Sequence, residues 1–149
     1  MEALDKMKMH GAMTATLIKG DGSVITRHKD NIIVNVGFDF IANAIGASSS
    51  RPAVMSHIAV GTGTTAAAAS QSALVTELAR NAATYAHTTG TKVFTFNATF
   101  PAGVATGAIT EAGVFNAASG GIMLDRVMFA VINKAAADTL QVTFTFTMS

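Results

Sequence analysis

The sequence predicts an all-β protein: an antiparallel β-sandwich or jelly roll with one or two short helices. The first observation behind this prediction is the alternation of apolar and polar residues in "TKVFTFNATF" (91–100) and "DTLQVTFTFTMS" (138–149). The second is the spacing of the extended runs, which recur about every ten residues between turns rich in Gly, Asn and Asp. The alternating runs predict strands with an aromatic face inward and a threonine face outward.

The beginning of the chain divides into an arm and a hairpin. Residues 1–10 carry mixed charges and predict an extended N-terminal arm, whereas residues 11–149 predict a single β-sandwich domain. Within "GAMTATLIKGDGSVITRHKDNIIV" (11–34), two extended runs flank a Gly-Asp-Gly-Ser turn and predict a β-hairpin. A chain of 149 residues buries enough surface to fold without disulfides, and it contains no cysteine.

Two segments have apolar residues at helical spacing. One short amphipathic helix is predicted in "NVGFDFIANAIGAS" (35–48), where Gly46 marks its end. A second helical segment is predicted over 66–80, although the threonines that precede it fit a loop equally well. The apolar positions of the first segment are Val36, Phe40, Ile41, Ala44 and Ile45, and those of the second are Leu74, Val75 and Leu78.

The stretch "HIAVGTGTTAAAA" (57–69) contains the spacing G-x-G-x-x-[GA] of dinucleotide-binding folds, with Gly61 and Gly63 as its glycines. A strand is predicted over 54–60, immediately before them. The motif lacks its context, because the expected acid after the next strand is missing and an antiparallel arrangement follows. Gly61 and Gly63 are therefore predicted to form a structural turn, with positive φ as the reason for glycine, and no cofactor is predicted.

The rest of the chain predicts further strands. A short strand is expected around Ile109–Phe115, between the turns "PAGVATG" and "NAASGG". The stretch "IMLDRVMFAVI" (122–132) is apolar on both faces, so it is either a central strand or a strand that faces a partner chain. Asp125 and Arg126 interrupt it, and their adjacency predicts a salt-bridged strand position.

The composition indicates an assembly. Only 13% of the residues are charged, against a usual share of roughly 25%, while 50% are hydrophobic and the mean hydropathy is +0.41. So few charges predict that part of the apolar surface is covered by other chains. The net charge of +1, with acids and bases interspersed, gives no footprint for nucleic acid, and no apolar run is long enough to predict a membrane span or a secretion signal.

The residues that could carry chemistry are scattered. His10, His28, His57 and His87 have none of the spacings of metal ligands, and no G-x-S-x-G element marks a nucleophile. Glu111 is the one acid bracketed by apolar residues and glycine, and it is predicted to bind nearby backbone or to form an ion pair between subunits. The sequence therefore predicts a protein that is not an enzyme, without catalytic residues, metal or cofactor.

Two regions are predicted to contact another protein chain. In the arm, Lys6, Met7, Lys8 and Met9 alternate basic and thioether side chains, a pattern suited to an extended strand lying along another protein. A frayed terminus is the alternative interpretation of the arm. In the stretch 122–132, the predicted contact residues are Met123, Arg126 and Met128.

Three stretches together resemble a known family. "NIIVNVGFDFIANAIG" (31–46), "HIAVGTGTTAAAASQSALVTELAR" (57–80) and the segment from "AGVATGAITEAGVF" to the C-terminus (102–149) are similar to small virion structural proteins of tailed bacteriophages. Within that group, the resemblance is to the capsid cement, or decoration, proteins that bind the outside of the shell. It covers nearly the whole chain after the arm, and its motifs contain little chemistry.

The resemblance implies a jelly-roll subunit that bridges major capsid proteins on the outer capsid surface. It also implies self-association, as a homodimer or a trimer, and no catalytic residues. The alternative within the structural class is a tail, neck or fibre-associated subunit. From other classes, a nucleotide-binding enzyme and a carbohydrate-binding sandwich remain as alternatives; the absence of Trp and the presence of a single Tyr, Tyr85, argue against the latter.

Overall fold

The computed structural model describes residues 6–149 and consists of nine β-strands and one α-helix in this part of the chain. All strand pairs are antiparallel. The predicted all-β fold with a short helix is therefore confirmed. In chain order the elements are β1 (Met9–Ile18), β2 (Val24–Ile33), α1 (Asn35–Gly46), β3 (His57–Gly61), β4 (Glu77–Ala82), β5 (Thr84–His87), β6 (Val93–Phe100), β7 (Gly107–Phe115), β8 (Met123–Lys134) and β9 (Thr139–Met148).

The strands form one nearly closed sheet, in the order β4-β3-β7-β8-β2-β1-β9-β6-β5. The sheet folds into two layers. Layer 1 contains β2, β1, β9, β6 and β5, and layer 2 contains β8, β7, β3 and β4. They are continuous through the last two residues of β2, Ile32 and Ile33, which pair with Arg126 and Asp125 of β8.

The core lies between the two layers, where the inward residues of the alternating strands meet. Across layer 1, Met13 of β1 pairs with Phe144 of β9, and Phe144 pairs with Phe96 of β6. Alternation of two along each strand puts these aromatic residues on one face and the threonines on the other, as predicted. Layer 2 contributes aliphatic residues to the same core, including Ile58, Val60, Ile109, Val114 and Ile132.

The chain also passes from layer 2 to layer 1 between β4 and β5, which are the two end strands of the sheet. β4 pairs with β3 in layer 2, and β5 pairs with β6 in layer 1, with only Ala83 between them. The N–H of Ala83 donates to the carbonyl of Ser56 at 2.8 Å, and the Asn81 amide donates to the carbonyl of Thr99 at the same distance. These bonds bring the two ends of the sheet together and nearly close it.

α1 packs on β8, and Gly37 sets how closely. The Val34 N–H donates to the Leu124 carbonyl at 3.2 Å, and Gly37 is the buried residue of the helix. A Cβ at Gly37 would lie 2.9 Å from the carbonyl carbon of Leu124, so only glycine permits this contact. The predicted first helix is thus present, and it ends at Gly46.

The predicted second helix over 66–80 is wrong. Residues 62–76 form an irregular segment across the outer face of layer 2, and β4 begins at Glu77. Of the residues that suggested the helix, Leu74 is buried whereas Val75 and Leu78 are exposed, so they do not share one buried face. Polar side chains instead satisfy the backbone of the segment: Gln71 binds main-chain groups of Ala66 and Ala68.

Other boundaries also differ from the predictions. β1 begins at Met9, so the last two residues of the predicted arm belong to the sheet. The strand predicted over 54–60 is shorter, at His57–Gly61, and β5 was not predicted, because its four residues are all exposed and lack alternation. The stretch 122–132 is a central strand, since β8 lies between β7 and β2.

Candidate functional surface

Nine polar side chains without charge lie together on the outer face of layer 1. They are outward residues of β1, β9 and β6, which the strand register places in adjacent rows. The ionisable residues His10, His28 and Asp30 flank them on the same face. None of the nine side chains is ionisable, and all are half-buried or exposed. We call this surface the threonine face; its residues are Thr14, Thr16, Thr95, Asn97, Thr99, Gln141, Thr143, Thr145 and Thr147.

Local contacts hold the threonine face in place. The Asn97 amide donates to the Thr143 hydroxyl at 2.5 Å, and Thr14 shares a hydrogen bond of 2.9 Å with a His28 ring nitrogen. Beneath it, the inward aromatic rings stack: the centroids of Phe94 and Phe146 are 5.1 Å apart. β-Branched threonines on a packed sheet have little rotamer freedom to lose, so the face is already ordered for contact.

A buried carboxylate, Glu111, organises the opposite side of the protein. On the outer face of layer 2, one of its oxygens accepts the N–H groups of Gly63 (3.0 Å) and Thr76 (2.7 Å). The other accepts the N–H of Val75 (3.0 Å) and both Nε (2.9 Å) and Nη2 (2.7 Å) of Arg126. Glu111 and Arg126 are completely buried. We call these five residues the Glu111 cluster.

The Glu111 cluster is built to keep a charged carboxylate. Burial acts to raise the pKa of Glu111, but the hydrogen bonds from Thr76, Val75, Arg126 and Gly63 outweigh it and hold the pKa below its ordinary value. The prediction that Glu111 binds backbone is confirmed, although the groups lie 35 to 48 residues away in the sequence. Its ion-pair partner Arg126 is in the same chain, not in another subunit.

Gly61 and Gly63 lie beside this carboxylate. β3 ends at Gly61, and a Cβ on either glycine would lie 2.6 Å from a Glu111 oxygen. Neither glycine has positive φ, so the predicted reason for glycine is wrong. Glycine is needed because the backbone approaches Glu111 closely.

Asp125 does not pair with Arg126, which corrects the prediction of a salt-bridged position. Adjacent strand residues point to opposite faces, so Arg126 reaches the outer face of layer 2 while Asp125 points into the core. Asp125 accepts the N–H of Val114 at 3.0 Å and a hydrogen bond from the Asn31 amide. Burial raises the pKa of Asp125 well above its ordinary value, and the Val114 bond opposes this only in part.

The predicted contact residues fall into two groups. Lys6, Met7 and Lys8 are exposed, and Met9 is half-buried. Met123 and Arg126 are completely buried, and Met128 is half-buried; all three were predicted as contact residues. A partner on the surface cannot reach Met123 or Arg126, because both side chains fill space under the segment 62–76.

The arm does not leave the domain at Lys8. Lys8 and Ser149 exchange two backbone hydrogen bonds, of 2.7 and 2.9 Å, and Met9 pairs with Met148. The exposed basic residues Lys6 and Lys8 therefore lie at one end of the central strand pair β1 and β9.

An apolar pocket of about 400 Å³ was missed by the sequence reasoning. It lies under α1 at one end of the nearly closed sheet, and we call it the mouth pocket. Its residues come from six separate parts of the chain, so no local pattern could have indicated it. The lining residues are Met9, Phe40, Ile41, Val54, Met55, Tyr85, Phe94, Phe96 and Leu124.

The ionisable residues of the described chain are dispersed. His10 lies 3.3 Å from Asp30, and His57 bonds to its neighbour Ser56. Within residues 6–149, no group of three His, Asp or Glu side chains is placed to hold a metal ion. No helix in this part of the chain has the length and apolar character needed to cross a bilayer. Comparison of the chain with models of protein families, with curated protein sequences and with solved structures finds no match.

Proposed function

We propose that the chain is a non-enzymatic structural protein of a tailed-bacteriophage particle. In this proposal it is a cement, or decoration, protein on the outer capsid surface that bridges major capsid protein subunits and stabilises the shell. The observation that supports this most directly is the threonine face, an ordered, uncharged sheet surface of nine residues. The resemblance of the sequence to phage virion proteins supports the same function.

The chemistry of the threonine face suits contact with protein. Each threonine offers a methyl group for packing and a hydroxyl for hydrogen bonding, and its transfer out of water costs less than that of a charged group. An ordered sheet face can cover the seam between two subunits without rearrangement. Because a shell repeats the same contact many times, each contact needs to contribute only a few kcal/mol.

The arm supports a second contact. Lys6 and Lys8 are exposed beside Met7, whose side chain is 76% exposed. Exposed lysines next to an exposed thioether fit an acidic, irregular surface on a shell subunit. We place Lys6 to Met9 in the proposed interface, and we omit Met123 and Arg126 from it because they are buried.

The proposal is tested by adding a charge to the threonine face. In Thr145→Lys, an ammonium must be desolvated on the middle strand of the face, β9, so affinity for undecorated capsids is expected to fall by at least about tenfold. The matched control is Thr65→Lys, an exposed threonine in the segment 62–76, which is expected to bind like the parent. Co-sedimentation with purified capsids measures affinity, and thermal unfolding verifies that both variants fold.

Two results would contradict the proposal. Equal binding by Thr145→Lys and the parent would remove the threonine face from the interface. Labelled protein that marks a single vertex, and not the whole head surface, would favour the alternative of a tail, neck or fibre-associated subunit.

A further inference from the structure

The mouth pocket lies where the two ends of the nearly closed sheet do not meet. The bond from the Ala83 N–H to the Ser56 carbonyl is the last one that joins the β4–β5 segment to the chain before β3. Beyond it, within the described part of the chain, β5 pairs with β6 and has no strand on its other side. Val54, Met55 and Tyr85 line the space that results, and α1 covers it with Phe40 and Ile41. The pocket therefore follows from the topology.

The lining is apolar almost throughout. Among the nine lining residues, the Tyr85 hydroxyl is the only side-chain group that forms ordinary hydrogen bonds, and Tyr85 is 58% exposed. An occupant must therefore be apolar where it is buried. The ring centroids of Phe94, Phe96 and Tyr85 lie 5.5 to 6.3 Å from one another, so the aromatic wall is fixed before anything binds. Met9 and Met55 can adapt to the shape of an occupant.

One lysine lies at the rim of the pocket. The Lys92 carbonyl accepts the N–H of Met148, which pairs with the lining residue Met9, so the pairing of β6 with β9 continues to Lys92. Residues two apart on a strand share a face, so Lys92 is on the same face as the lining residue Phe94. Lys8 directly precedes Met9 and is therefore on the opposite face. The exposed ammonium of Lys92 favours an anion at this end of the pocket.

We propose that the mouth pocket binds a medium-chain alkyl carboxylate, with its chain among Phe94, Phe96 and Met55 and its carboxylate toward Lys92. A pocket of about 400 Å³ lies within the range of small-molecule sites, about 300 to 1,000 Å³. An alkyl chain needs no hydrogen-bond partner, which matches the lining. This proposal does not depend on the structural role proposed above.

The protein carries its own reporter for this test. Tyr85 is the only tyrosine and the chain has no tryptophan, so its fluorescence comes from the pocket. Titration with octanoate, decanoate and dodecanoate is expected to change the Tyr85 emission, and the affinity should increase by about fourfold for each added methylene that is buried. At equal chain length, an alkyl trimethylammonium is expected to bind several-fold more weakly than the carboxylate.

Two pairs of variants test whether dodecanoate binds in the mouth pocket. Val54→Trp places a large side chain at the pocket from a position that is 76% exposed, so it is expected to abolish dodecanoate binding without loss of folding. The control Val24→Trp alters another exposed valine, on β2, and should bind like the parent. Lys92→Glu is expected to weaken binding by about tenfold, whereas Lys29→Glu, an exposed lysine on β2, should not. Calorimetry measures binding by the tryptophan variants.

Three results would overturn the proposal. The first is the absence of dodecanoate binding below about 1 mM, an affinity that corresponds to only about 4 kcal/mol. The second is equal binding by Val54→Trp and Val24→Trp. The third is equal affinity for the carboxylate and the ammonium, which would show that the Lys92 charge plays no part.

Discussion

At the scale of single residues, the Glu111 cluster determines the path of the chain over layer 2. Its carboxylate accepts three backbone N–H groups and the Arg126 guanidinium in the interior, so no donor there is left without a partner. Without these acceptors, residues 63–76 would have to find their hydrogen bonds within the segment, as a helix does. The wrong helix prediction has this physical cause: a distant side chain satisfied the local backbone.

Glu111→Gln is expected to destabilise the protein strongly. The substitution leaves the Arg126 charge buried without an anion, which typically costs about 3 to 5 kcal/mol in free energy of unfolding. The control is Asp30→Asn, which removes an exposed pair with His10 and is expected to cost below about 1 kcal/mol. Urea denaturation measures both; equal losses would contradict the role given to burial.

Gly63→Ala is expected to destabilise the same region. Its Cβ would lie 2.6 Å from a Glu111 oxygen and 2.7 Å from the Val75 Cβ, and relief of such overlap typically costs about 1 to 3 kcal/mol. At Gly46 a Cβ would have open space, and Gly46→Ala is expected to be neutral or stabilising because it lies in α1. A Gly63→Ala protein with the melting temperature of the parent would refute the close approach.

Asp125 and Glu111 make stability depend on pH in opposite directions. Burial raises the pKa of Asp125, so the folded protein holds the proton more tightly than the unfolded chain does. Its stabilisation is complete below the unfolded value of 3.8 and is lost as the pH rises toward the folded pKa. The pKa of Glu111 is lowered, so its stabilisation is present above the unfolded value of 4.5 and is lost as the pH falls through the folded pKa.

Asp125→Asn is expected to remove the pH dependence of stability that arises from Asp125. Above pH 3.8, the parent should lose up to about 1.4 kcal/mol per pH unit through this group until its folded pKa is reached, whereas the variant should not. Denaturation from pH 3.5 to 8 measures the slopes, with the exposed Asp39→Asn as control; parallel curves for parent and variant would count against a neutral Asp125.

At the scale of elements, strand alternation determined most of what the sequence could predict. β1, β6 and β9 were expected because their apolar residues recur at every second position. β2 was expected from the Gly-Asp-Gly-Ser turn that follows β1, and β7 from its place between two turns. β4 and β5 escaped prediction because their residues are mostly exposed or half-buried and carry no such pattern. The sequence predicted that individual strands would have an outward row of threonines. The extent of the threonine face depended on which strands became neighbours.

Removal of residues 1–7 is expected to distinguish the contribution of the arm to binding from its contribution to stability. Lys8 and Met9 keep their pairing with Ser149 and Met148, so the melting temperature should stay within about 2 °C of the parent, because the loss removes only exposed groups from the described structure. Under the proposed function, affinity for undecorated capsids should fall. Co-sedimentation measures this, with Lys29→Ala as a control for the loss of one exposed lysine elsewhere; unchanged binding would exclude the arm from the contact.

At the scale of the whole molecule, the first and last strands of the chain are central. β1 lies between β2 and β9, and β9 lies between β1 and β6, so residues near both ends of the sequence hold layer 1 together. The same core receives side chains from both layers. Independent unfolding of either layer would expose the apolar face of the other.

The protein is therefore expected to unfold in a single transition, with equal calorimetric and van't Hoff enthalpies. A chain shortened to residues 1–138 lacks β9 and is expected not to fold, since β1 and β6 lose their shared neighbour. Circular dichroism and calorimetry measure both outcomes. A cooperative transition in the shortened chain would contradict the central role of β9.

The sequence by itself determined the fold class, the strand faces and the first helix, because alternation and helical spacing are local properties of the chain. The tertiary structure alone decided the strand order, the Glu111 cluster and the mouth pocket. Glu111 meets Gly63, Val75, Thr76 and Arg126 only after β7, β8 and the segment 62–76 come together. Partners so distant in sequence leave no periodic signal, and the direction of a side chain is fixed only when its strand has neighbours.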